Sequence, residues 1–360
     1  MSAHELLLWV MAGFAVLGAL DRIIGNRFGL GQEFENGILA MGSLALAMLG
    51  IIALAPVLAN LLKPVIVPVY RFLGADPAMF AGTILACDMG GASLAQAMTD
   101  DPQAALLGGV LGGATLGATI VFTIPVALGI LKEEDRPALA KGILCGIVTI
   151  PVGIFVGGLV AGFPIGMILR NLVPIILIAA LIALGLWKAE KAMIKGFGIF
   201  GKGIIALITL GLALGIVQSL TGFSVIPGMA PLEDGFLTVG AIAVVLAGAF
   251  PLVYVLTKLL KKPLLGMGKL LGINDTAAAG LVASLANSIA TFGLVKDMDR
   301  RGKVVNIAFA VSAAFVFGDH LGFTAGFAPQ MLPAVIVGKL TGGVSAVIVA
   351  LLLTAKEKKS

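Results

Sequence analysis

The stretch Leu73-Gly-Ala-Asp76-Pro77-Ala-Met-Phe-Ala-Gly-Thr-Ile-Leu-Ala-Cys87-Asp88-Met89-Gly90-Gly91 decides how the chain folds. Asp76 suits a helix cap and Pro77 the first helical position. A helix from Pro77 to Cys87 would be about 16 Å long, roughly half the hydrocarbon core of a bilayer. It then meets a carboxylate, Asp88, and a glycine pair that permits the chain to reverse. The expected element is a hairpin that enters and leaves on one side, with a polar tip at mid-depth. The same order of features returns in Leu271-Gly-Ile-Asn274-Asp-Thr276-Ala-Ala-Ala-Gly-Leu-Val-Ala-Ser-Leu-Ala-Asn287, displaced by about 198 residues. There Asn274-Asp275-Thr276 is the cap, although it also matches a glycosylation acceptor, and Asn287-Ser288 is the tip.

Outward from these stretches the chain is apolar almost throughout. Leu44 to Leu62, Ile143 to Val160, Leu172 to Trp187, Ile204 to Leu220 and Ala334 to Leu353 approach or exceed the roughly 18 apolar residues of a spanning helix. Lys339 is the main polar intrusion. Of the 360 residues, 59% are hydrophobic and 12% charged, against roughly 25% charged in soluble domains. A soluble fold is therefore excluded. The first apolar run, Leu6 to Leu20, has no basic residue before it and Asp21-Arg22 after it, so it reads as a short retained span rather than a signal peptide.

Charge placement orients the spans. Basic clusters stand at Lys188, Lys191, Lys195 and Lys202; at Lys258, Lys261, Lys262 and Lys269; at Lys296, Arg300, Arg301 and Lys303; and at Lys356, Lys358 and Lys359. Lysines between spans mark the cytoplasmic side, not nucleic-acid binding. Thr221 to Gly235 and Leu321 to Pro333 carry no Lys or Arg and are expected outside. On this basis Ala334 to Leu353 runs inward, Val304 to Phe317 outward, and Thr276 to Leu294 is a hairpin from the inside. Phe236 to Leu256 and Ile204 to Leu220 complete the second half. With Leu172 to Trp187 as a linking span, the first half is upside down and Ala78 to Met98 is a hairpin from the outside. Lys63, Arg71 and Arg170 then sit outside, against the charge rule. The expected fold is an all-α polytopic membrane protein of two inverted repeats with re-entrant or discontinuous helices and roughly 9–11 membrane segments. Eleven full spans are the competitor. The expected divisions are a first repeat over 1–170, a linking span and basic loop over 171–202, and a second repeat over 203–360.

Several patterns carry less than they suggest. Gly109, Gly113 and Gly117, Gly153 with Gly157, and Gly158 with Gly162 have the spacing at which helices approach closely in lipid, a packing role. Gly196-Phe-Gly198-Ile-Phe-Gly201 fits a dinucleotide fingerprint by chance, since no strand precedes it, and Gly203 stands where a phosphate loop needs Ser or Thr. With His4 and His320 the sole histidines and no Cys-x-x-Cys around Cys87 or Cys145, neither a histidine-based metal cluster nor an enzyme is expected, and no cofactor.

The candidate binding residues are polar groups inside apolar runs, where a charge costs at least about 2.5 kcal/mol and usually lines a cavity or pathway. Asp88, flanked by Cys87 and Met89, comes first: a carboxylate and helix C-terminal carbonyls suit an ammonium group. Asn287 and Ser288 at the second tip suit a hydroxyl. Asp319 and His320, in Gly318-Asp-His-Leu-Gly322, are a candidate proton site, and Asn306 is a secondary candidate. Glu33 and Glu35 read as solvated.

At these residues the chain resembles the ethanolamine-utilisation permeases, the EutH family. The resemblance runs through Gln32-Glu-Phe-Glu35, Ala40-Met-Gly-Ser-Leu-Ala-Leu-Ala-Met48, Ala53-Leu-Ala-Pro-Val-Leu-Ala59, Met79-Phe-Ala-Gly82, Leu85-Ala-Cys-Asp-Met-Gly90, Ile120-Val-Phe122 and Ile124-Pro-Val-Ala-Leu-Gly129. It continues through Ala283-Ser-Leu-Ala-Asn287, Met298-Asp-Arg-Arg-Gly-Lys303, Ala310-Val-Ser-Ala-Ala-Phe315, Gly318-Asp-His-Leu-Gly-Phe323 and Val337-Gly-Lys339. It implies a transporter for protonated ethanolamine in the bacterial inner membrane. A channel-like facilitator, a carrier for another small amine, and a membrane sensor or enzyme are the alternatives. The loops and C-terminal tail are shorter than the family pattern. The expected partners are ethanolamine and the lipid bilayer, with homo-oligomer formation left open.

Overall fold

The computed structural model describes residues 2–355, apart from the side chains at 260–262, 264, 265, 267 and 269. Lys356, Lys358 and Lys359 lie outside the described residues, as do the side chains of Lys261, Lys262 and Lys269. The described residues are helices joined by turns, with no strand among them. Among the described residues, seven helical stretches are long and apolar enough to cross a membrane: Ala3–Ile23, Leu30–Phe72, Pro102–Ile130, Glu133–Val160, Ile165–Thr221, Leu232–Leu259 and Pro329–Leu353. The shorter hairpin and broken-helix segments account for the difference from the expected 9–11.

Local chemistry sets the first boundaries. Ser2 Oγ accepts the Glu5 amide while Glu5 accepts that of Ser2, a reciprocal cap. Asp21 closes the next turn by accepting the Phe28 and Gly31 amides at 2.9 Å each. Exposed Arg22 pairs with Glu35 at 3.2 Å.

Both anticipated hairpins form. In the first, Ala78–Ile84 descends, Leu85 and Ala86 are extended, Cys87–Met89 makes one tight turn, and Gly91–Met98 returns. The descending helix ends three residues earlier than the expected Cys87, because Leu85 already has extended backbone. Asp76 accepts from the Ala78 amide and from Thr99 Oγ1, both at 2.8 Å, and its own amide donates to Asn171. The two ends of the hairpin are thus tied together. In the second, Asp275–Ala286 and Ser288–Leu294 meet at extended Asn287. Asn274 caps the Ala277 amide, donates its side-chain amide to the Asp297 carbonyl and donates its backbone amide to Asp299 Oδ1. Ser284, Thr291 and the Gly280 carbonyl link the two arms inside. Joined ends oppose reading either segment as a full crossing.

Ile165–Thr221 is not one straight helix: it breaks at Ala189 (φ −141°, ψ 47°), between the expected spans Leu172 to Trp187 and Ile204 to Leu220. A Cβ on Gly185 would lie 2.7 Å from Met193 Sδ, whereas eight residues of straight helix span about 12 Å, so the chain folds back there. Val304 to Phe317 is not one helix either. Arg300–Ala313 stops, Phe315 takes φ +63°, and Asp319–Phe327 begins anew. The Phe315 and Phe317 amides donate to Ser284 and Leu285 carbonyls at 3.1 and 2.9 Å, satisfying backbone freed by the break. Most of Leu321 to Pro333, expected outside, is buried helix.

The glycine stripes pack backbones together. A Cβ on Gly109 would meet Ala92 at 2.7 Å, one on Gly113 the Cys87 amide at 2.8 Å, and one on Gly153 the Gly338 carbonyl at 2.7 Å. Gly162 is the exception: it has open space and φ +76°, so it serves a turn, not packing. Leu106–Gly117 winds in wide π geometry, which presses the Gly108–Gly117 backbone against the first hairpin. Gly201 packs on Pro125 within a helix, so the fingerprint-like glycines do not form a strand–helix turn.

Charges at the ends are also placed. Lys63, Arg71 and Arg170 line one depression together with Asp76, Asp100 and Asp101. At the other end of Pro102–Ile130, Asp135 (3% exposed) pairs with Lys303 (18%) at 2.5 Å. Lys303→Met should lower stability by about 3 kcal/mol, because removing one partner strands a buried charge. A Tm measured in detergent, compared with that of the double variant carrying Asp135→Asn as well, checks this; equal Tm values for Lys303→Met and wild type would refute it.

Candidate functional site

Asp88 sits where the first hairpin reverses, and the reversal needs Gly90. That residue has φ +86°, and a Cβ there would lie 2.2 Å from Ile51 Cγ2. The turn leaves the Asp88 side chain 16% exposed, and that exposure faces a cavity of about 890 Å³. Met89, Phe122, Phe315, Asp319 and His320 share the lining, which reaches Gly129, Lys195 and Lys202. Asp319 and His320 come from the second half of the chain, brought in by the break at residues 314–318. Two discontinuous elements thus meet across one space.

The His320 ring packs on Phe315 (centroids 5.3 Å apart), which meets Phe122 edge-on at 5.4 Å. His320 Nε2 is 3.8 Å from Asp88 Oδ1, beyond hydrogen-bond range, and its buried Nδ1 has no partner among the described residues. A carboxylate, two aromatic rings and an imidazole in one cavity have the chemistry to suit a small cation, since a carboxylate can take its charge and rings can cover its alkyl part.

The remaining candidates are placed differently. Cys87 is fully buried behind the tip. Asn287 Oδ1 accepts the Ile289 amide at 2.7 Å and so caps the second arm; Ser288 Oγ is buried without a partner among the described residues. Asn306 donates to the Ala277 and Gly302 carbonyls at 2.9 Å each, tying the second hairpin to Arg300–Ala313. None of these four is among the cavity-lining residues.

No histidine-based cluster was expected from the sequence. Single ligand atoms of Cys87, Asp88 and His320 lie within 4.8 Å of one another, although the residues are far apart in sequence. Buried Lys339 donates its Nζ to the Ala114 carbonyl, next to Gly113, whose backbone lies against Cys87.

A family model described as "Ethanolamine utilisation protein, EutH" matches residues 3–353. The chain belongs to the EutH family. It is 61% identical over 359 residues to a protein of Listeria monocytogenes named "Probable ethanolamine permease EutH", covering 100% of this chain and 96% of the relative. A Bacillus subtilis protein named "Uncharacterized protein YxeR" is 51% identical over 363 residues, covering 100% and 98%. An Escherichia coli relative, again named "Probable ethanolamine permease EutH", is 49% identical over 395 aligned positions, covering 99% and 97%. No solved structure matches. The Listeria and Escherichia names describe permeases rather than enzymes, and with the apolar helices they make this EutH chain a multi-pass membrane protein.

Sequence reasoning missed Lys339, Phe122 and Phe315 as site residues. Lys339 was visible as a charge inside an apolar run, the same signal that marked Asp88. The phenylalanines were not distinguishable from the other apolar residues of a membrane protein.

Proposed function

We propose that this EutH-family chain carries protonated ethanolamine across the bacterial cytoplasmic membrane. The observation that carries the reading is Asp88: a carboxylate at a hairpin tip, partly buried, facing a cavity walled by aromatic rings. The names of the relatives support ethanolamine as the amine. A neutral amine crosses lipid unaided, so a protein is needed mainly for the charged form. Asp88 pairs with the ammonium, while Asp319 and His320 line the path and meet the hydroxyl end. Asn287 and Ser288 support the second tip.

We read the two halves as inverted repeats. The open end of the first hairpin precedes Pro102–Ile130, whereas the open end of the second lies next to Lys303, whose partner Asp135 follows that helix's far end. The two hairpins then enter from opposite faces, as in carriers that alternate access around a fixed midplane site. By the positive-inside rule the cavity, with Lys195 and Lys202 in its lining, opens to the cytoplasm. Behind the tip, Gly82, Gly108 and Gly117 press backbone on backbone. That closed floor favours a carrier over a channel.

The test is labelled ethanolamine uptake into proteoliposomes at mildly acidic pH, against protein-free liposomes and excess unlabelled choline. Saturable uptake that resists choline and shows counterflow is expected. No protein-dependent uptake by folded, reconstituted protein would refute the reading, and uptake without counterflow would favour a channel-like facilitator.

A further inference from the structure

Cys87, Asp88 and His320 bring three different donor atoms to one place: a sulfur, a carboxylate oxygen and an imidazole nitrogen, all within 4.8 Å of one another. Three atoms that close share a point no more than about 2.8 Å from each, and zinc bonds to such donors run about 2.0–2.3 Å. Shifts of about 0.5–0.8 Å per donor complete the bonds. The backbone holds the donors where they are. A Cβ on Gly113 would meet the Cys87 amide nitrogen at 2.8 Å, and one on Gly318 the Ala286 carbonyl oxygen at 2.1 Å. Neither the hairpin tip nor the chain leading into His320 has room to drift, and the His320 ring rests on Phe315.

The donors are also uncommitted. His320 Nε2 stands 3.8 Å from Asp88 Oδ1, too far for a hydrogen bond. Its Nδ1, on a ring that is nearly all buried, has no partner among the described residues, and Cys87 is a free thiol. Buried polar atoms are nearly always paired, so an orphan asks for a reason. The donor set selects the ion. Sodium, magnesium and calcium take oxygen ligands, whereas sulfur, nitrogen and oxygen together suit zinc, which is often held by three side chains with a fourth position open. Asp88 and His320 line the cavity and Cys87 lies behind them, so the open position faces the cavity. Lys339 Nζ, on the Ala114 carbonyl beside Gly113, adds a positive charge on that side of Cys87 and disfavours ions held by charge alone.

We propose that Cys87, Asp88 and His320 form a zinc site at the floor of the cavity, and that zinc bound there ties the first hairpin to the second half of the chain and keeps the amine off Asp88. The blocking role rests on reading the cavity as the amine's path; the site itself does not. When zinc binds, the Cys87 S–H proton leaves to solvent and a zinc–sulfur bond takes its place.

The experiment titrates purified, tag-free protein, its thiols kept reduced, with cobalt(II) as a coloured substitute for zinc. Wild type should bind a single cobalt ion per chain and develop the near-ultraviolet absorption of a cobalt–thiolate bond, which added zinc should erase. Cys87→Ser and Cys87→Ala should lose that absorption, and Cys145→Ser should keep it. His320→Gln and Asp88→Asn should each bind at least about tenfold more weakly, since losing even an outer partner of a metal site costs that much. No such absorption in wild type at saturating cobalt, absorption that survives in a folded Cys87 variant, or wild-type affinity in folded His320→Gln would overturn the proposal. Ethanolamine should compete with cobalt, and zinc should stop ethanolamine uptake into proteoliposomes until a chelator restores it. Cobalt bound with the expected absorption but indifferent to ethanolamine would overturn the blocking role and count against the amine reading, while the zinc site would stand.

Discussion

Asp88→Asn is expected to reduce saturable ethanolamine uptake about 100-fold while leaving the protein folded. The substitution keeps shape and removes charge. A charge-assisted hydrogen bond in a site shielded from water is worth roughly 3 kcal/mol at the upper end, and each 1.4 kcal/mol is a factor of ten. The fold should survive because the only partner within ion-pair range of the Asp88 carboxylate, among the described residues, is His320 at 3.8 Å. Folding can be read with a thiol-reactive dye, since Cys87 and Cys145 are both free and fully buried and become reactive only on unfolding. Wild-type uptake by a folded Asp88→Asn protein would remove Asp88 from the binding role. Asp319→Asn should act more weakly, because Asp319 lines the same cavity without standing at the hairpin tip.

Gly82→Ala should be among the most damaging single-methyl changes in the chain. A Cβ at Gly82 would fall 1.8 Å from the Gly108 carbonyl oxygen and 2.8 Å from the Gly113 amide nitrogen. Both are backbone atoms and neither can swing aside, so the whole hairpin must back away from the π-wound segment. Overpacking of this kind typically costs 1–3 kcal/mol, and contact with backbone puts this case at or above the top, about 3 kcal/mol. The dye melt should drop by at least about 5 °C, and uptake should fall even in the surviving folded fraction, because the shift moves Asp88. Gly13→Ala, which has open space on every side, is the matched control and should melt like wild type. Equal melting of the two variants would mean that the close approach of hairpin and π segment does not hold the fold together.

The parts of this fold that follow from local chemistry were legible. Asp76 and Asn274 both cap helices, because short polar side chains before an apolar helical run satisfy the first free amides wherever the run is later packed. The two short arms could be seen as hairpins, because a polar tip and chain-reversing residues came half a membrane after each cap. Asp88 could be singled out, because a carboxylate is too costly in lipid to be left there without purpose. The lengths of continuous helices were not legible: composition cannot tell a kink inside a helix, as at Ala189, from a loop between two, as between residues 160 and 165.

What the sequence by itself determined is a helical, membrane-embedded chain with two capped, reversing segments and an acidic group at the tip of one. The physical reason is that lipid leaves backbone amides only helical partners and makes every internal charge conspicuous. What only the tertiary structure decided is which residues share a space. The break at Phe315 brings Asp319 and His320 to Asp88 from the other half of the chain, and Lys339 reaches the Ala114 carbonyl across 225 residues. It also withdrew Asn306 and Asn287 into caps and ties. Such meetings depend on packing between distant helices, where glycine contacts set distances of a few ångströms, and no local spacing in the sequence encodes them.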